Sequence, residues 1–162
     1  MAGKIKIVMI DDEADLCELV RSNLEETGRF QVITATQPRE AFSICLREEP
    51  DLILLDIVMP DVKGPDLTKQ LKTHRDTSAI PIIVISGLGE MVYSKKKDKW
   101  QWLPNRSVVL TRGKVIREKD PERAAQAYGV EGFLAKPFTT ELLLEVIENV
   151  ITKDIEKKQK ME

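Results

Sequence analysis

Asp51-Leu52-Ile53-Leu54-Leu55-Asp56-Ile57-Val58-Met59-Pro60-Asp61 is the stretch from which the fold can be predicted. Residues 52–55 are apolar without polar alternation, which is typical of a strand buried on both faces of a parallel sheet. Pro60 stops regular pairing, and Gly64 permits the turn that follows. Asp56 is therefore predicted at the carboxyl end of a central strand, the edge at which open α/β sheets bind ligands.

Strands and helices are predicted to alternate along the rest of the chain. The other strands are expected at residues 5–10, 30–35, 80–86 and 132–136. Helices are expected over residues 13–27, 38–49, 65–73 and 121–128, with a last helix capped by Thr139. Five β-α units joined by connections of helix length predict an α/β fold, a doubly wound parallel sheet with helices on both faces.

Length and charge indicate one domain with a distinct basic segment. The 162 residues have 42% hydrophobic content and a net charge of −2. Residues 87–119 contain nine Lys or Arg and three acids, so this segment carries +6 and the remainder −8. Such an asymmetry concerns binding partners more than fold.

The same sequence indicates a cytoplasmic protein. Cys17 and Cys45 lack a closely spaced partner cysteine and are expected to be small buried thiols of a reducing compartment. No segment approaches the roughly twenty apolar residues that span a bilayer. Residues 1–6 lead directly into a strand, so no signal peptide is expected.

Charged and hydroxyl side chains follow four of the predicted strands. Asp11 and Asp12, Asp56, Ser86 and Lys136 all fall at carboxyl ends, which meet at one edge of a parallel sheet. Three carboxylates converging there require a cation, and a partly hydrated oxygen site suits Mg²⁺. One carboxylate could then attack a phosphoryl group, with the lysine and the hydroxyl stabilising its oxygens.

With these motifs the chain resembles a response-regulator receiver domain of two-component signalling. The matching segments are Met9-Ile10-Asp11-Asp12-Glu13, Leu55-Asp56-Ile57-Val58-Met59-Pro60 with Gly64, Ile83-Val84-Ile85-Ser86-Gly87, and Gly132-Phe133-Leu134-Ala135-Lys136-Pro137-Phe138. The resemblance implies the flavodoxin-like fold with strand order 2-1-3-4-5. It covers residues 4–86 and 120–152, the expected core of a single receiver domain.

The resemblance also implies roles for individual residues. Asp56 would be the phosphoacceptor, and Lys136 would pair with the phosphate. Asp11, Asp12 and Asp56, with the backbone carbonyl of Val58, would hold Mg²⁺. Ser86 and Phe133 would be the switch hydroxyl and the switch aromatic residue. A tight turn is expected at Lys136–Pro137, with a cis peptide bond.

The implied function is a phosphorylation-switched module of a phosphorelay. A sensor histidine kinase or phosphotransfer protein would donate the phosphoryl group, and the modified surface would bind an unknown downstream protein. Beyond self-phosphorylation and self-dephosphorylation at Asp56, no enzyme activity is expected. The chain could be a stand-alone receiver, or a receiver piece of a longer hybrid kinase or regulator.

Two other classes of protein fit the sequence less well. An aspartyl-phosphate phosphatase commonly has a second Asp two residues after its nucleophile, where this chain has Val58. A nucleotide-binding doubly wound domain needs a Gly-rich loop after the first strand, where Asp11-Asp12-Glu13 stands and would repel phosphate.

The basic segment 87–119 is an insertion between the fourth strand and the fourth helix. Lys136 lies fifty positions after Ser86, against just over twenty in the family. Residues 108–116 are predicted to form a hairpin with Gly in its turn. Trp100, Trp102 and Arg112 are the candidate partner-binding residues, since Trp and Arg anchor interfaces.

The alternatives for this insertion are a solvated loop packed on the body and, less favoured, a nucleic-acid surface. The charged tail, residues 153–162, is expected to fray.

Overall fold

The computed structural model describes residues 3–86, 89–94, 99–104, 108–111, 114–117, 125–126 and 128–162, with the backbone alone between residues 86 and 117. Nine strands occur in these ranges: β1 (Ile5–Ile10), β2 (Phe30–Ala35), β3 (Leu52–Asp56), β4 (Ile82–Ser86), β5 (Gly89–Ser94), β6 (Lys99–Pro104), β7 (Val108–Thr111), β8 (Lys114–Arg117) and β9 (Gly132–Ala135). The described helices are α1 (Ala14–Glu26), α2 (Ala41–Glu48), α3 (Gly64–Thr73) and a C-terminal helix (Thr140–Met161).

Five strands form one parallel sheet in the order β2-β1-β3-β4-β9. Counted along the sheet-forming strands alone, this is the predicted order 2-1-3-4-5, and the predicted fold class is confirmed. β4 begins at Ile82 rather than at residue 80, because the Ile80 N–H donates to Thr77 O at 3.0 Å and stays in the turn after α3.

β3 lies at the centre of the sheet and is buried along its whole length. Ile53 and Leu55 belong to the apolar cluster that includes α2 and α3, whereas Leu52 and Leu54 belong to the cluster that includes α1 and the C-terminal helix. An unbroken apolar run is therefore required, since alternate side chains enter two different cores. Each fully buried side chain of this kind contributes about 1.5–3 kcal/mol.

The C-terminal helix begins as predicted and ends later than predicted. The Thr139 hydroxyl accepts a hydrogen bond from the Leu142 N–H at 3.1 Å, which confirms the cap. The expectation of a frayed tail is wrong, because the helix continues to Met161. Its last turns consist of good helix formers, and Lys158 pairs with Asp154 one turn earlier at 2.6 Å.

The insertion contains two antiparallel hairpins, β5–β6 and β7–β8. The second is the predicted hairpin, with Val109 opposite Ile116. The first was not predicted, although Trp100 and Trp102 alternate with polar residues in the manner of a strand. Most of the predicted helix over residues 121–128 lies outside the described residues.

No helix in the described part of the chain combines the length and apolar character needed to cross a membrane.

Candidate functional site

Two carboxylates are brought together by neighbouring strands of the sheet. Asp11 directly follows β1, and its N–H donates to Ala35 O of the neighbouring strand β2 at 3.2 Å. Asp56 is the last residue of β3 and lies beside Ile85 of β4. Asp11 and Asp56 are buried, with relative exposures of 0% and 3%. Their ionised forms therefore need compensating positive charge.

The loop after β3 holds the Asp56 carboxylate in place. Its Oδ1 accepts a hydrogen bond from the Val58 N–H at 3.0 Å. Val58 also pairs with Lys63 in an isolated antiparallel bridge, which closes the loop. Gly64 then begins α3 so close to Ile57 that a Cβ atom would lie 2.3 Å from the Ile57 carbonyl oxygen. The glycine is therefore required by a close backbone approach.

Lys136 is the cation of the site. Its Nζ lies 2.7 Å from Asp11 Oδ2, 3.2 Å from Glu13 Oε1 and 3.4 Å from Asp56 Oδ2. The Lys136–Pro137 bond is cis, as the sequence predicts. The ammonium thus reaches back across the sheet edge from β9 to the ends of β1 and β3.

Burial and repulsion change the proton affinities in this cluster. Burial, followed by the negative charge of Asp11, raises the pKa of Asp56 from 3.8 to about 7, although Lys136 and the Val58 N–H oppose the rise. Burial alone would lower the pKa of Lys136. The hydrogen bond to Asp11 and the charges of Asp56 and Asp11 outweigh it, so that pKa is raised and the lysine stays protonated.

Asp12 completes a set of carboxylates that fits a hard divalent cation. Asp11, Asp12 and Asp56 each offer one oxygen, and these oxygens lie within 4.8 Å of one another. Asp12 is exposed, which leaves water access on one side. Oxygen donors with partial hydration suit Mg²⁺.

The two predicted switch positions lie on neighbouring strands. Phe133 is buried in β9 and stacks on Tyr128, with ring centroids 6.2 Å apart and an interplanar angle of 3°. Ser86 ends β4 opposite Ala135, but its hydroxyl is outside what the structure describes.

The three candidate partner-binding residues lie in the insertion. In the β5–β6 hairpin, Trp100 stands opposite Tyr93 and Trp102 opposite Met91. Arg112 lies outside the described residues.

Sequence reasoning assigned no role to Glu13 or Tyr128. Glu13 directly follows the Asp pair, so its nearness to the site could have been inferred, but its contact with Lys136 depends on a residue 123 positions away. Tyr128 precedes Phe133 by five residues, and only the packing of β9 shows that their rings stack.

The two predicted buried thiols are confirmed. Cys17 and Cys45 are free and buried. Burial raises the pKa of each thiol to about 12, so neither is a reactive thiolate at neutral pH.

The chain has counterparts among known proteins. The family model described as the response regulator receiver domain matches residues 7–99, more than half of the chain. The chain belongs to this receiver domain family of two-component response regulators, whose members are in general not conventional enzymes.

Curated relatives match a little more than half of the chain. The phosphate regulon transcriptional regulatory protein PhoB of Pseudomonas aeruginosa is 37% identical over 90 residues, which cover 56% of this chain and 38% of PhoB. The probable transcriptional regulator ycf27 of Porphyra purpurea is 36% identical over 88 residues, 54% of this chain and 35% of that protein. The matched region thus spans little more than a third of these relatives.

Solved structures show the same fold. The chemotaxis response regulator CheY4 of Vibrio cholerae superposes with a TM-score of 0.65 at 23% identity, covering 91% of this chain and 99% of CheY4. A CheY-like receiver domain protein from Methanospirillum hungatei gives a TM-score of 0.68 at 19% identity, covering 96% of this chain and 99% of that one.

Proposed function

We propose that this receiver domain accepts a phosphoryl group on Asp56, from a phosphohistidine of a sensor histidine kinase or a phosphotransfer protein, and that the modified surface alters binding to a downstream partner. The observation that carries the proposal is the position of Asp56. Its buried carboxylate ends the central strand within 3.4 Å of the Lys136 ammonium and within a set of three carboxylates.

In the transfer, an oxygen of Asp56 attacks phosphorus while the bond from phosphorus to the donor histidine nitrogen breaks. The departing imidazole nitrogen keeps the electron pair of that bond. The ring leaves as neutral imidazole if its other nitrogen already carries a proton, and otherwise it takes up a proton from solvent. Asp56 must be ionised to attack, which the Lys136 charge and the Val58 N–H both favour. Lys136 then neutralises charge on the transferred group, and the Ser86 hydroxyl would donate to one of its oxygens.

The carboxylates of Asp11, Asp12 and Asp56, together with the Val58 backbone carbonyl, would hold Mg²⁺. The ion would neutralise their mutual repulsion and the charge on the phosphoryl oxygens. Binding of the cation also favours the ionised form of Asp56, whose pKa is otherwise about 7.

The conformational response would use Ser86 and Phe133. Ser86 is the last residue of β4, which pairs with β9, and Phe133 lies in β9. A hydroxyl drawn toward the phosphoryl group would change the space beside Phe133 and its partner Tyr128. Such a change would connect the carboxyl ends of the strands to β9, the edge strand of the sheet.

Two other functions have less support. Val58 occupies the place where an aspartyl-phosphate phosphatase would have its second carboxylate. PhoB and ycf27 are named as transcriptional regulators, so in a longer protein this receiver could control a separate DNA-binding part. A hybrid kinase is the other longer arrangement.

The test is intact-mass analysis after incubation with acetyl phosphate, with Mg²⁺ or with a chelator. One phosphoryl adduct is expected, it should require Mg²⁺, and peptide mapping should place it on Asp56. An adduct on another residue, or none at all, would contradict the proposal. The Asp56→Asn variant is the matched control, because it keeps the shape of the side chain and removes the nucleophile.

The insertion, residues 87–119, is proposed to be a partner-facing addition to a core of residues 4–86 and 120–152. Its net charge of +6 contrasts with −8 on the remainder. The five strands of the central sheet pair with one another and not with β5–β8. Trp100, Trp102 and Arg112 would anchor an acidic partner surface.

Replacing residues 87–119 by a short Gly/Ser loop should leave a cooperatively folding protein that is still phosphorylated on Asp56. The reason is that no ladder of the central sheet uses the replaced strands. Thermal unfolding and the intact-mass assay are the measurements. Loss of the cooperative transition would assign the segment to the core and remove the main support for a docking role.

A further inference from the structure

Glu13 lies where it can oppose the arrival of a phosphoryl group. Its Oε1 is 3.2 Å from Lys136 Nζ, the same ammonium that contacts Asp11 and Asp56. Of these three carboxylates, Glu13 alone is exposed: its side chain is 63% accessible, against 0% and 5% for the two aspartates. The exposed carboxylate therefore stands at the solvent side of the lysine.

The backbone fixes Glu13 in this place. Its N–H donates to Asp11 Oδ1 at 2.9 Å, and its carbonyl accepts from the Cys17 N–H at 3.1 Å. Glu13 is the N-cap position of α1, with an extended backbone at φ −79° and ψ 92°. The side chain can move, but its origin cannot leave the site without breaking the start of α1.

We propose that Glu13 is an electrostatic brake on phosphorylation: it occupies Lys136 in the resting site and repels the incoming phosphoryl oxygens. The inference rests on the proposed function of Asp56. Both effects slow phosphorylation. A phosphodonor must displace Glu13 from the Lys136 ammonium, and it must bring negative charge close to the Glu13 carboxylate. Glu13 is thus a positioning residue for Lys136.

The effect should be moderate, because Glu13 is partly solvated. Two unit charges about 4 Å apart in water interact with an energy equivalent to about a fivefold change in rate. Glu13→Gln should therefore raise the second-order rate constant for phosphorylation by acetyl phosphate about fivefold at 0.1 M ionic strength, with Mg²⁺ saturating. The affinity for beryllofluoride, a non-covalent phosphoryl mimic, should rise by a similar factor.

The dependence on ionic strength distinguishes an electrostatic effect of Glu13 from a merely structural one. The Debye length falls from about 10 Å at 0.1 M to about 3 Å at 1 M ionic strength. The ratio of the Glu13→Gln rate to the native rate should therefore fall toward one at 1 M salt. If Glu13→Gln acted only by altering the start of α1, the ratio of its rate to the native rate would be the same at both salt concentrations.

Glu26→Gln is the matched control. It removes the same charge from the exposed other end of α1, about 20 Å away along the helix. It should leave the rate constant and the beryllofluoride affinity unchanged.

The outcomes distinguish the two proposals. If the native chain forms an Asp56 adduct and Glu13→Gln reacts at the native rate or more slowly, the brake is overturned and the proposed function stands. A rate increase that is independent of salt also overturns the brake. If the native chain forms no adduct at Asp56, the proposed function fails, and the inference fails with it.

Discussion

Lys136→Met is expected to lose about 3 kcal/mol of stability in the absence of Mg²⁺ and to slow phosphorylation at least 100-fold. The stability loss follows because, among the residues that the structure describes, the Lys136 ammonium is the positive charge within 4 Å of both buried carboxylates, Asp11 and Asp56. Breaking a buried ion pair by removing one partner costs about 3–5 kcal/mol, and protonation of a carboxylate can recover part of it.

The rate effect has a separate cause. Removing one preorganised group that stabilises developing charge costs about 10²–10³ in rate. Denaturant unfolding with and without Mg²⁺ measures the first effect, and the intact-mass time course measures the second. Because Mg²⁺ would supply positive charge to the same carboxylates, it should stabilise Lys136→Met more than it stabilises the native chain.

An exposed lysine supplies the control for this prediction. Lys158→Met removes an exposed lysine paired with Asp154 and should change stability by less than about 1 kcal/mol. Equal losses in the two lysine variants would show that the site lysine has no special structural role.

Asp56→Asn should raise the stability of the folded chain, whereas Lys136→Met should lower it. The folded-state pKa of Asp56 is raised from 3.8 to about 7, so the native chain loses stability as the pH rises through that window. Without Mg²⁺, Asp56→Asn should therefore be the more stable protein above about pH 7, by up to a few kcal/mol at about 1.4 kcal/mol per pKa unit. Its advantage should vanish below about pH 3, where Asp56 is protonated in both the folded and the unfolded state.

Gly64→Ala is expected to lose about 3 kcal/mol of stability and to impair phosphorylation as well. The added Cβ would lie 2.3 Å from Ile57 O and 2.6 Å from Ile57 Cα, and these backbone atoms belong to the loop that orients Asp56. Either α3 or the loop must move, and overpacking of this kind costs about 1–3 kcal/mol or occasionally more. Denaturant unfolding and the adduct-formation rate are the measurements.

Other glycines supply graded comparisons for Gly64→Ala. At Gly132 the added Cβ would lie 2.9 Å from side-chain atoms of Ile83 and Val150, which can shift more easily than backbone, so a smaller loss is expected. At Gly3 nothing lies within 4 Å, and the substitution should be neutral. An effect at Gly64 no larger than at Gly132 would contradict the close-approach explanation.

Local sequence patterns were sufficient for the central sheet. The apolar run of β3 predicted a strand with two buried faces, because each face of a parallel sheet excludes water and alternate side chains enter both. Strand ends then placed Asp11 and Asp56 at one edge, and the Lys136–Pro137 bond is cis as predicted. Each of these elements was predicted from a short run of consecutive residues.

The sequence left other features undetermined because they depend on packing between distant residues. The contact from Lys136 to Asp11 spans 125 positions, and the stacking of Tyr128 on Phe133 requires β9 to pair with β4. A pattern of residue types gives the period and ends of an element but not the distances between atoms of different elements. Residue patterns thus predicted the strands and the residues at the acidic edge, and the resemblance to receiver domains implied the strand order that the structure shows. The contacts of Glu13 with Lys136 and of Gly64 with Ile57 could be seen in the folded chain alone, because strand register and helix packing set those separations.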